Sequence, residues 1–227
     1  YKGPGLALVD FGLYKQSVDE IIMPQTAVQT SADVQATRTI YDFTCGGVDL
    51  KLTFAAPLFL ENLELVSRPV NYVTYEVKSN DGAEHDVEVY FEASADWARN
   101  MPTQKSISTV EADEQFNYVK SGTESQRVLR HRGDDIRIDW GYFYMAADKN
   151  HTNAVGNALN LRKSFAEGGE VVASNDGNQM ALSAKIGKVG AKEVSNYIMV
   201  GYDDIYSIQY FKENIRPYWN RKGDSSI

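Results

Sequence analysis

The stretch YEVKSNDGAEHDVEVYFEAS, residues 75–94, decides the fold class of this chain. Successive side chains on a β-strand point to opposite faces, and apolar residues fill alternate positions on both sides of Asn80-Asp81-Gly82. Val77 and Val87 predict buried faces, whereas Glu88 predicts a face that meets water or a partner domain. The stretch therefore predicts a hairpin, whose turn suits glycine because that residue adopts positive φ without a Cβ clash. The predicted buried set is Val73, Tyr75, Val77, Val87, Val89, Phe91 and Ala93.

The same alternation recurs along most of the chain. Residues 37–55 predict a second hairpin, with Cys45-Gly46-Gly47 at its turn. Further predicted strands cover residues 6–12, 106–111, 116–120, 127–131, 136–147 and 193–202, and residues 170–186 predict a third hairpin. Many short strands separated by turns are typical of stacked sheets. We therefore predict an all-β protein, a large antiparallel β-sandwich with one or two short helices.

Two segments predict helices within this β-rich pattern. Residues 157–167 place Ala158, Leu161 and Phe165 near helical spacing, with Asn157 as the cap and glycines at the end. Residues 205–219 predict a second helix that Pro217 terminates, and residues 58–69 form a connector with a single helical turn. We predict one sandwich domain over residues 1–204 and a tail over residues 205–227.

Composition limits the classes of function. The 227 residues include 31 acidic and 23 basic side chains, giving a net charge of -8 and a pI near 5.0. Nucleic-acid binding requires clustered positive charge, so we expect no nucleic-acid partner. No apolar run is long enough for membrane insertion. Cys45 is the single cysteine, which excludes an intrachain disulfide. The chain starts at Tyr1 without a signal peptide, so we expect a fragment of a longer protein.

Catalytic motifs are scarce. The three histidines are far apart in the sequence, show no HExxH spacing and are expected at the surface, so we predict no metal site and no cofactor. Neighbouring residues on a strand point to opposite faces, which argues against Asp134-Asp135 or Asp203-Asp204 acting as a catalytic pair. We predict no catalytic residue in this chain. A hydrolase built from two converging acids stays open, with the candidates Asp134, Asp135, Asp139, Asp203 and Asp204.

Aromatic residues carry the clearest signal for binding. Asp96-Trp97 and Asp139-Trp140 each place a carboxylate beside an indole at a strand end. An exposed indole can stack on a sugar ring while the acid accepts hydrogen bonds; alternatively, both indoles pack at sandwich edges or against a neighbouring domain. The candidate ligand-binding or interdomain residues are Asp96, Trp97, Asp139, Trp140, Tyr142 and Trp219.

Three long blocks resemble a known family. They are LTFAAPLFLENLELVSRPVNYVTYEVKSNDGAEHDVEVYFEASADWA (52–98), VLRHRGDDIRIDWGYFYMA (128–146) and GYDDIYSIQYFKENIRPYWNRKG (201–223). Together they resemble the non-catalytic domain that precedes the helical domain in glutaminase A-type proteins. The first block is also similar to the N-terminal sandwich of some (α/α)6-barrel glycoside hydrolases. The resemblance covers most of residues 37–223 and covers residues 1–36 poorly.

The resemblance implies a supersandwich-like domain packed beside an α-helical toroid, in an extracellular or periplasmic protein. This family includes fungal glutaminases, which hydrolyse the side-chain amide of L-glutamine, and many gut-bacterial proteins. The catalytic groups are expected in the helical domain, so no catalytic residue is carried onto this chain. The implied partner is a C-terminal helical domain of the same polypeptide, and RPYWNRKG resembles the segment leading into it. A carbohydrate-binding or accessory domain of a glycoside-hydrolase-like protein is the alternative, with a glycan as its partner.

Overall fold

The computed structural model describes residues 25–130, 138–168 and 178–223. The strands are β1 (Val28–Val34), β2 (Arg38–Cys45), β3 (Val48–Ala55), β4 (Val70–Ser79), β5 (His85–Ser94), β6 (Ser106–Ala112), β7 (Phe116–Thr123), β8 (Tyr142–Asp148), β9 (His151–Gly156), β10 (Gln179–Val189), β11 (Val194–Asp203), β12 (Ile208–Tyr210) and β13 (Glu213–Ile215). The helices are α1 (Leu63–Val66) and α2 (Ala158–Ala166), with 3₁₀ turns at Ala95–Ala98 and Tyr218–Asn220.

Two antiparallel sheets stack to form the sandwich. The large sheet has the order β1-β2-β3-β4-β11-β8-β7-β6, and the small sheet has the order β5-β10-β9. Their facing sides share one apolar core, which joins Val77 and Met145 of the large sheet to Leu182 of the small sheet. Burial of each such side chain contributes about 1.5–3 kcal/mol. The all-β sandwich with two short helices is therefore confirmed.

The stretch at residues 75–94 is not a hairpin, and this prediction is wrong. β4 pairs with β3 on one edge and with β11 on the other, while β5 pairs with β10 in the opposite sheet. Because both edges of β4 are occupied, the chain crosses at Asn80-Asp81-Gly82 from one layer of the sandwich to the other. Val77 and Val87 still reach the same core, but from facing sheets. Alternation identified the buried faces correctly and left the pairing partner undetermined.

Helix α2 covers part of the outer face of the small sheet. Asn157 caps the helix by accepting a hydrogen bond from the backbone N–H of Leu159 at 3.0 Å, as the sequence predicts. Leu161 is buried against the sheet, and Arg162 pairs with Glu92 of β5. The sequence predicts that the acidic face of β5 meets water or a partner domain. At Glu92 that face instead contacts helix α2 of the same domain.

The tail is not helical, which corrects the prediction for residues 205–219. β12 and β13 form a two-stranded hairpin instead, and a 3₁₀ turn follows Pro217. The tip residues Phe211 and Lys212 have φ of 46° and 71°. Two consecutive residues in this region form the tight turn that joins hairpin strands, so a local turn prevents continuation of a helix.

Other predicted elements have mixed outcomes. The hairpin of β2 and β3, the helical turn α1 and strand β11 are confirmed. Residues 127–130 form a turn rather than a strand, and the strand predicted over residues 136–147 begins only at Tyr142. Strand β1 escaped prediction because all seven of its side chains are exposed and it joins the sheet edge through its backbone. The short, polar β9 was also missed. The predicted strand at 6–12 and the first arm of the predicted hairpin at 170–186 lie outside the described residues.

Candidate binding surfaces

The three tryptophans lie in different environments. Trp97, in the 3₁₀ turn after β5, is 71% exposed and stacks one face on Phe143 with ring centroids 5.9 Å apart. Trp140 is 6% exposed and donates its indole N–H to the Tyr206 carbonyl at 3.1 Å. Trp219 is 3% exposed. Trp97 alone of the three is available for stacking on a ligand, while the other two pack inside.

An open depression lies beside Trp97 at one end of the sandwich. It has a volume of about 440 Å³ and is lined by Asp96, Trp97, Arg99, Ile138 and Tyr202. Asp96 forms an ion pair with Arg99, so its carboxylate is already engaged. The depression offers one exposed indole and one paired acid.

The candidate acids do not converge on this depression. Asp139 is fully buried and accepts a hydrogen bond from the Gln104 amide at 2.7 Å. Burial raises the pKa of Asp203, although its carboxylate accepts the backbone N–H of Ile205 at 2.8 Å. Neither of these acids lines the depression, nor does Asp204. Asp134 and Asp135 lie outside the described residues, so no pair of these carboxylates faces a cleft in the described part of the chain.

Gly141 allows two strands to approach closely at this end of the sandwich. Gly141 has φ of 78°, and a Cβ there would lie 2.0 Å from the carbonyl oxygen of Asp203. The Gln126 side chain accepts the Gly141 backbone N–H at 2.7 Å and donates to its carbonyl at 3.1 Å. The start of β8 therefore lies directly against the end of β11. At this point the Tyr202 hydroxyl donates a hydrogen bond to the Trp140 carbonyl at 2.5 Å.

A larger groove runs over the outer face of the large sheet, on the side away from the small sheet. Its volume is about 1130 Å³. The floor comes from outward-facing residues of neighbouring strands, and one wall comes from the connector between β3 and β4. We call it the tyrosine groove, and its aromatic and charged lining includes Phe59, Tyr72, Glu111, Phe116, Tyr118, Lys120 and Tyr144.

The polar centre of the tyrosine groove is a hydrogen-bonded ion pair. Lys120 Nζ lies 2.7 Å from Glu111 Oε1, and the Tyr118 hydroxyl donates to Glu111 Oε2 at 3.0 Å. The hydrogen bond from Lys120 is the main reason that the pKa of Glu111 lies below its usual value. Lys120 also lies 5.4 Å from the ring centre of Tyr142, the candidate residue on this face. The acid therefore stays ionised and is held in place.

The tyrosine groove was not predicted from the sequence, although a signal is present. Tyr72, Tyr118 and Tyr144 occupy strand positions whose alternation predicts an exposed face, where several aromatic rings are unusual. Alternation alone does not show that these rings come together. The sheet order β4-β11-β8-β7 places Tyr144 and Tyr118 on adjacent strands and Tyr72 two strands from Tyr144, beyond β11.

His151 is buried, which corrects its expected surface position. It is 1% exposed between the sheets, with the Tyr75 hydroxyl 2.9 Å from Nε2 and Asp148 Oδ1 2.7 Å from Nδ1. Asp148 also accepts the Asn196 amide at 2.9 Å. A carboxylate only accepts, so Nδ1 carries a proton, and in the neutral ring Nε2 is then the acceptor for the Tyr75 hydroxyl. His85, by contrast, is partly exposed and contacts Asp81 at 2.9 Å.

These carboxylates predict that stability falls in acid. Burial alone would raise the pKa of Asp148, but hydrogen bonds from Asn196, His151 and a backbone N–H outweigh it and lower the pKa. Contacts from His85 and the Ala83 N–H lower the pKa of Asp81 to about 2. A carboxyl with a lower pKa when folded stabilises the fold fully above its unfolded pKa, near 4, and loses this as pH falls.

We therefore expect the midpoint of urea unfolding to decline between about pH 4 and pH 2. Asp148→Asn should reduce the slope in this window, because it removes one of the carboxyl groups whose pKa is lower in the folded state. An unchanged slope in Asp148→Asn would show that the decline arises from other acids.

Exposed apolar side chains cluster on the connector between β3 and β4 and on the tail. The connector ridge consists of Leu58, Phe59, Leu60, Leu63 and Leu65, all of them exposed. The tail hairpin consists of β12 and β13, and it exposes Ile208, Tyr210, Phe211 and Ile215. The 3₁₀ turn after the tail hairpin contacts α1, and Arg221 lies 2.5 Å from Glu64. The tail is therefore tied to the connector.

Within the described ranges, no cluster of three potential metal ligands occurs and no helix is long and apolar enough to cross a bilayer.

The chain matches known proteins. Residues 37–227 match the family described as the domain of unknown function DUF5127. Glutaminase A of Aspergillus oryzae is 29% identical over 164 residues, which cover 70% of this chain and 23% of that protein. The chain thus spans about a quarter of this curated relative.

Solved structures give weaker matches. A protein assigned as a kojibiose phosphorylase from the human microbiome is 5% identical with a TM-score of 0.40, covering 73% of this chain and 17% of that one. A mutant of heparan sulfate lyase HepC from Pedobacter heparinus is 9% identical with a TM-score of 0.30, covering 80% and 22%. These TM-scores are too low to support a functional argument.

Proposed function

The chain belongs to the DUF5127 family, and from that premise we propose that it is a non-catalytic accessory domain of a secreted, glutaminase-like protein. In this proposal residues 1–204 form the sandwich, and residues 205–227 lead into a C-terminal helical domain of the same polypeptide. The homology to Glutaminase A supports it, because a segment equal to 23% of that protein matches this chain and leaves room for a further domain. Secretion is proposed from the family resemblance.

The tail hairpin is the observation that carries the proposal. It is a sheet of two strands that joins neither layer of the sandwich, and Phe211 at its tip is 83% exposed. A two-stranded hairpin is marginally stable in water by itself. Its tip also places Phe211 and Lys212 in left-handed backbone conformations, which cost about 1–3 kcal/mol each when nothing compensates. A partner surface that buries the apolar side chains would supply that compensation.

The connector ridge is a second exposed apolar surface that a partner domain could bury. Contiguous exposed apolar side chains mark interaction surfaces in soluble proteins. The ridge carries five of them, and the contact between α1 and the 3₁₀ turn at Tyr218–Asn220 joins it to the tail. Trp219 is buried within that turn, so the direction in which the chain leaves the sandwich is set by packing. A domain following the tail would meet both surfaces.

Phe211→Asp tests this docking surface. In the full-length protein it should lower stability by about 1.5–3 kcal/mol, since it exposes a face that the helical domain buries. In the 227-residue chain it should change the melting temperature little, because Phe211 is already exposed there. Gln209→Ala on the same hairpin is the matched control. Equal effects of Phe211→Asp in both proteins would refute docking at the hairpin.

A second experiment tests the absence of catalysis. We expect the purified chain to release no ammonia from L-glutamine above the buffer rate, because the candidate acids among the described residues, Asp139, Asp203 and Asp204, do not line a common depression. The full-length protein under the same conditions is the comparison. Robust glutamine hydrolysis by the chain alone would overturn the accessory role.

A glycan-binding domain is the second candidate function. The exposed Trp97 beside Asp96 favours it, since a flat indole face is available at the end of the sandwich. The burial of Trp140 removes the other predicted stacking residue. Loss of glycan-array signals in Trp97→Ala would support this candidate at that site.

A further inference from the structure

We infer that the tyrosine groove is a binding site for a neutral oligosaccharide. One wall of the groove is formed by Leu58, Phe59 and Leu65 of the connector ridge, so a bound sugar and a docked helical domain would share that wall. The groove is about 1130 Å³, which is large enough for several sugar rings. It differs from the tail hairpin in shape, because its aromatic rings line a concave surface while those of the hairpin project into solvent.

The aromatic floor suits the faces of sugar rings. The rings of Tyr118 and Tyr144 have centroids 6.3 Å apart and are tilted by 43° to each other. The ring centroids of Tyr72 and Tyr197 are 5.8 Å apart, with a tilt of 59°. The face of an aromatic ring is electron-rich and attracts the polarised C–H groups on the flat face of a sugar. Several such rings on one sheet provide more than one stacking position along the groove.

The charges of the groove favour a neutral ligand. Its lining includes three acids, Glu64, Glu111 and Asp113, and three bases, Arg38, Arg68 and Lys120, so their formal charges cancel. Lys120 is engaged by Glu111. Asp113 accepts backbone N–H groups from Gln115 and Phe116 at 2.7 and 2.8 Å. A ligand charge that competes for Lys120 or Asp113 would have to break these contacts, and the cancelling formal charges of the lining give a charged ligand no net attraction.

Two hydroxyl groups are available to recognise the ligand. Among the described residues, neither the Tyr72 nor the Tyr144 hydroxyl makes a hydrogen bond to another protein group, although both residues line the groove. Burial, with a smaller effect of the Asp203 and Glu111 charges, raises the pKa of Tyr144, so this hydroxyl stays protonated at neutral pH. Each hydroxyl can both donate to and accept from a sugar hydroxyl.

Calorimetric titration of the chain with neutral hexasaccharides tests the inference. The probes are cellohexaose, maltohexaose, xylohexaose and mannohexaose, alongside a sulfated heparin hexasaccharide and an oligogalacturonate. We expect at least one neutral probe to bind with Kd below about 1 mM. Tyr144→Phe, which keeps the ring, should weaken that binding about 3- to 10-fold, the usual effect of one hydrogen bond.

Further variants decide between sites. Tyr144→Ala should weaken binding more than Tyr144→Phe, and an unchanged thermal melt of Tyr144→Phe shows that the fold is intact. Trp97→Ala should leave binding unchanged, so loss in Trp97→Ala alone would overturn the groove and favour the depression beside Trp97. Binding of only the charged probes, or of none, would also overturn the inference. The docking test at Phe211 is independent of every one of these outcomes.

Discussion

Val89→Asp is expected to abolish cooperative unfolding of this chain. Val89 is half-buried on the core-facing side of β5, opposite Ala184 of β10, and packs against the core between the sheets. An aspartate there would place a carboxylate among apolar side chains, and burial of an unpaired charge costs several kcal/mol after relaxation. The whole domain is stabilised by only about 5–15 kcal/mol, so one such change removes much of its stability.

Thermal unfolding followed by circular dichroism checks this result, with gel filtration to detect expansion. Glu88→Ala is the control, because the adjacent side chain is exposed on the outer face and forms an ion pair with Lys185 at 3.6 Å. We expect that control to stay within about 0.5 kcal/mol of the parent chain, as is usual for surface changes. A cooperative melt at an unaltered temperature in Val89→Asp would contradict the packing of β5 described above.

His151→Ala is expected to cost about 2–4 kcal/mol of unfolding free energy, through lost hydrogen bonds and an unfilled space. The substitution removes the partner of the Tyr75 hydroxyl and one partner of Asp148. Burial, followed by the Asp148 charge, raises the pKa of Tyr75 to about 12, so the tyrosine stays neutral and its hydroxyl is left without this acceptor. The loss should appear as a lower midpoint of urea unfolding at pH 7.

His85→Ala provides a matched control for His151→Ala. Both histidines contact an aspartate, but His85 is partly exposed, so its removal should cost less than about 0.5 kcal/mol. Tyr75→Phe should cost about 1 kcal/mol. The double variant Tyr75→Phe/His151→Ala should cost less than the sum of the two single changes, because both remove the same hydrogen bond. Additive effects would show that the contact between Tyr75 and His151 contributes little.

The two Asp-Trp pairs show that local sequence does not predict whether a tryptophan is buried or exposed. Asp139-Trp140 and Asp96-Trp97 have the same local sequence, yet Trp140 is buried and Trp97 is exposed. The difference arises because the Gly141 corner folds Trp140 under Tyr206 and Tyr202, which come from a segment about 60 residues away. Local sequence contains no information about that covering segment. His151 was misplaced for the same reason, since Tyr75 buries it from another strand.

Other features were accessible from the sequence because they depend on neighbouring residues. Alternation along residues 75–94 determined which side chains are buried, the glycines determined the turn between β2 and β3, and Asn157 determined the start of α2. Each depends on backbone geometry within a few residues.

Tertiary structure alone decided which strand edges meet. Backbone donors and acceptors are alike on every strand, so sequence periodicity does not choose between a hairpin and a crossing to the opposite sheet. β11 occupies the edge of β4 that a hairpin would have given to β5. That long-range choice makes the sandwich, and it also brings Tyr72, Tyr118 and Tyr144 together on one face. The sequence by itself determined the faces of the strands; the order of strands, and with it the groove, arises from contacts between distant segments.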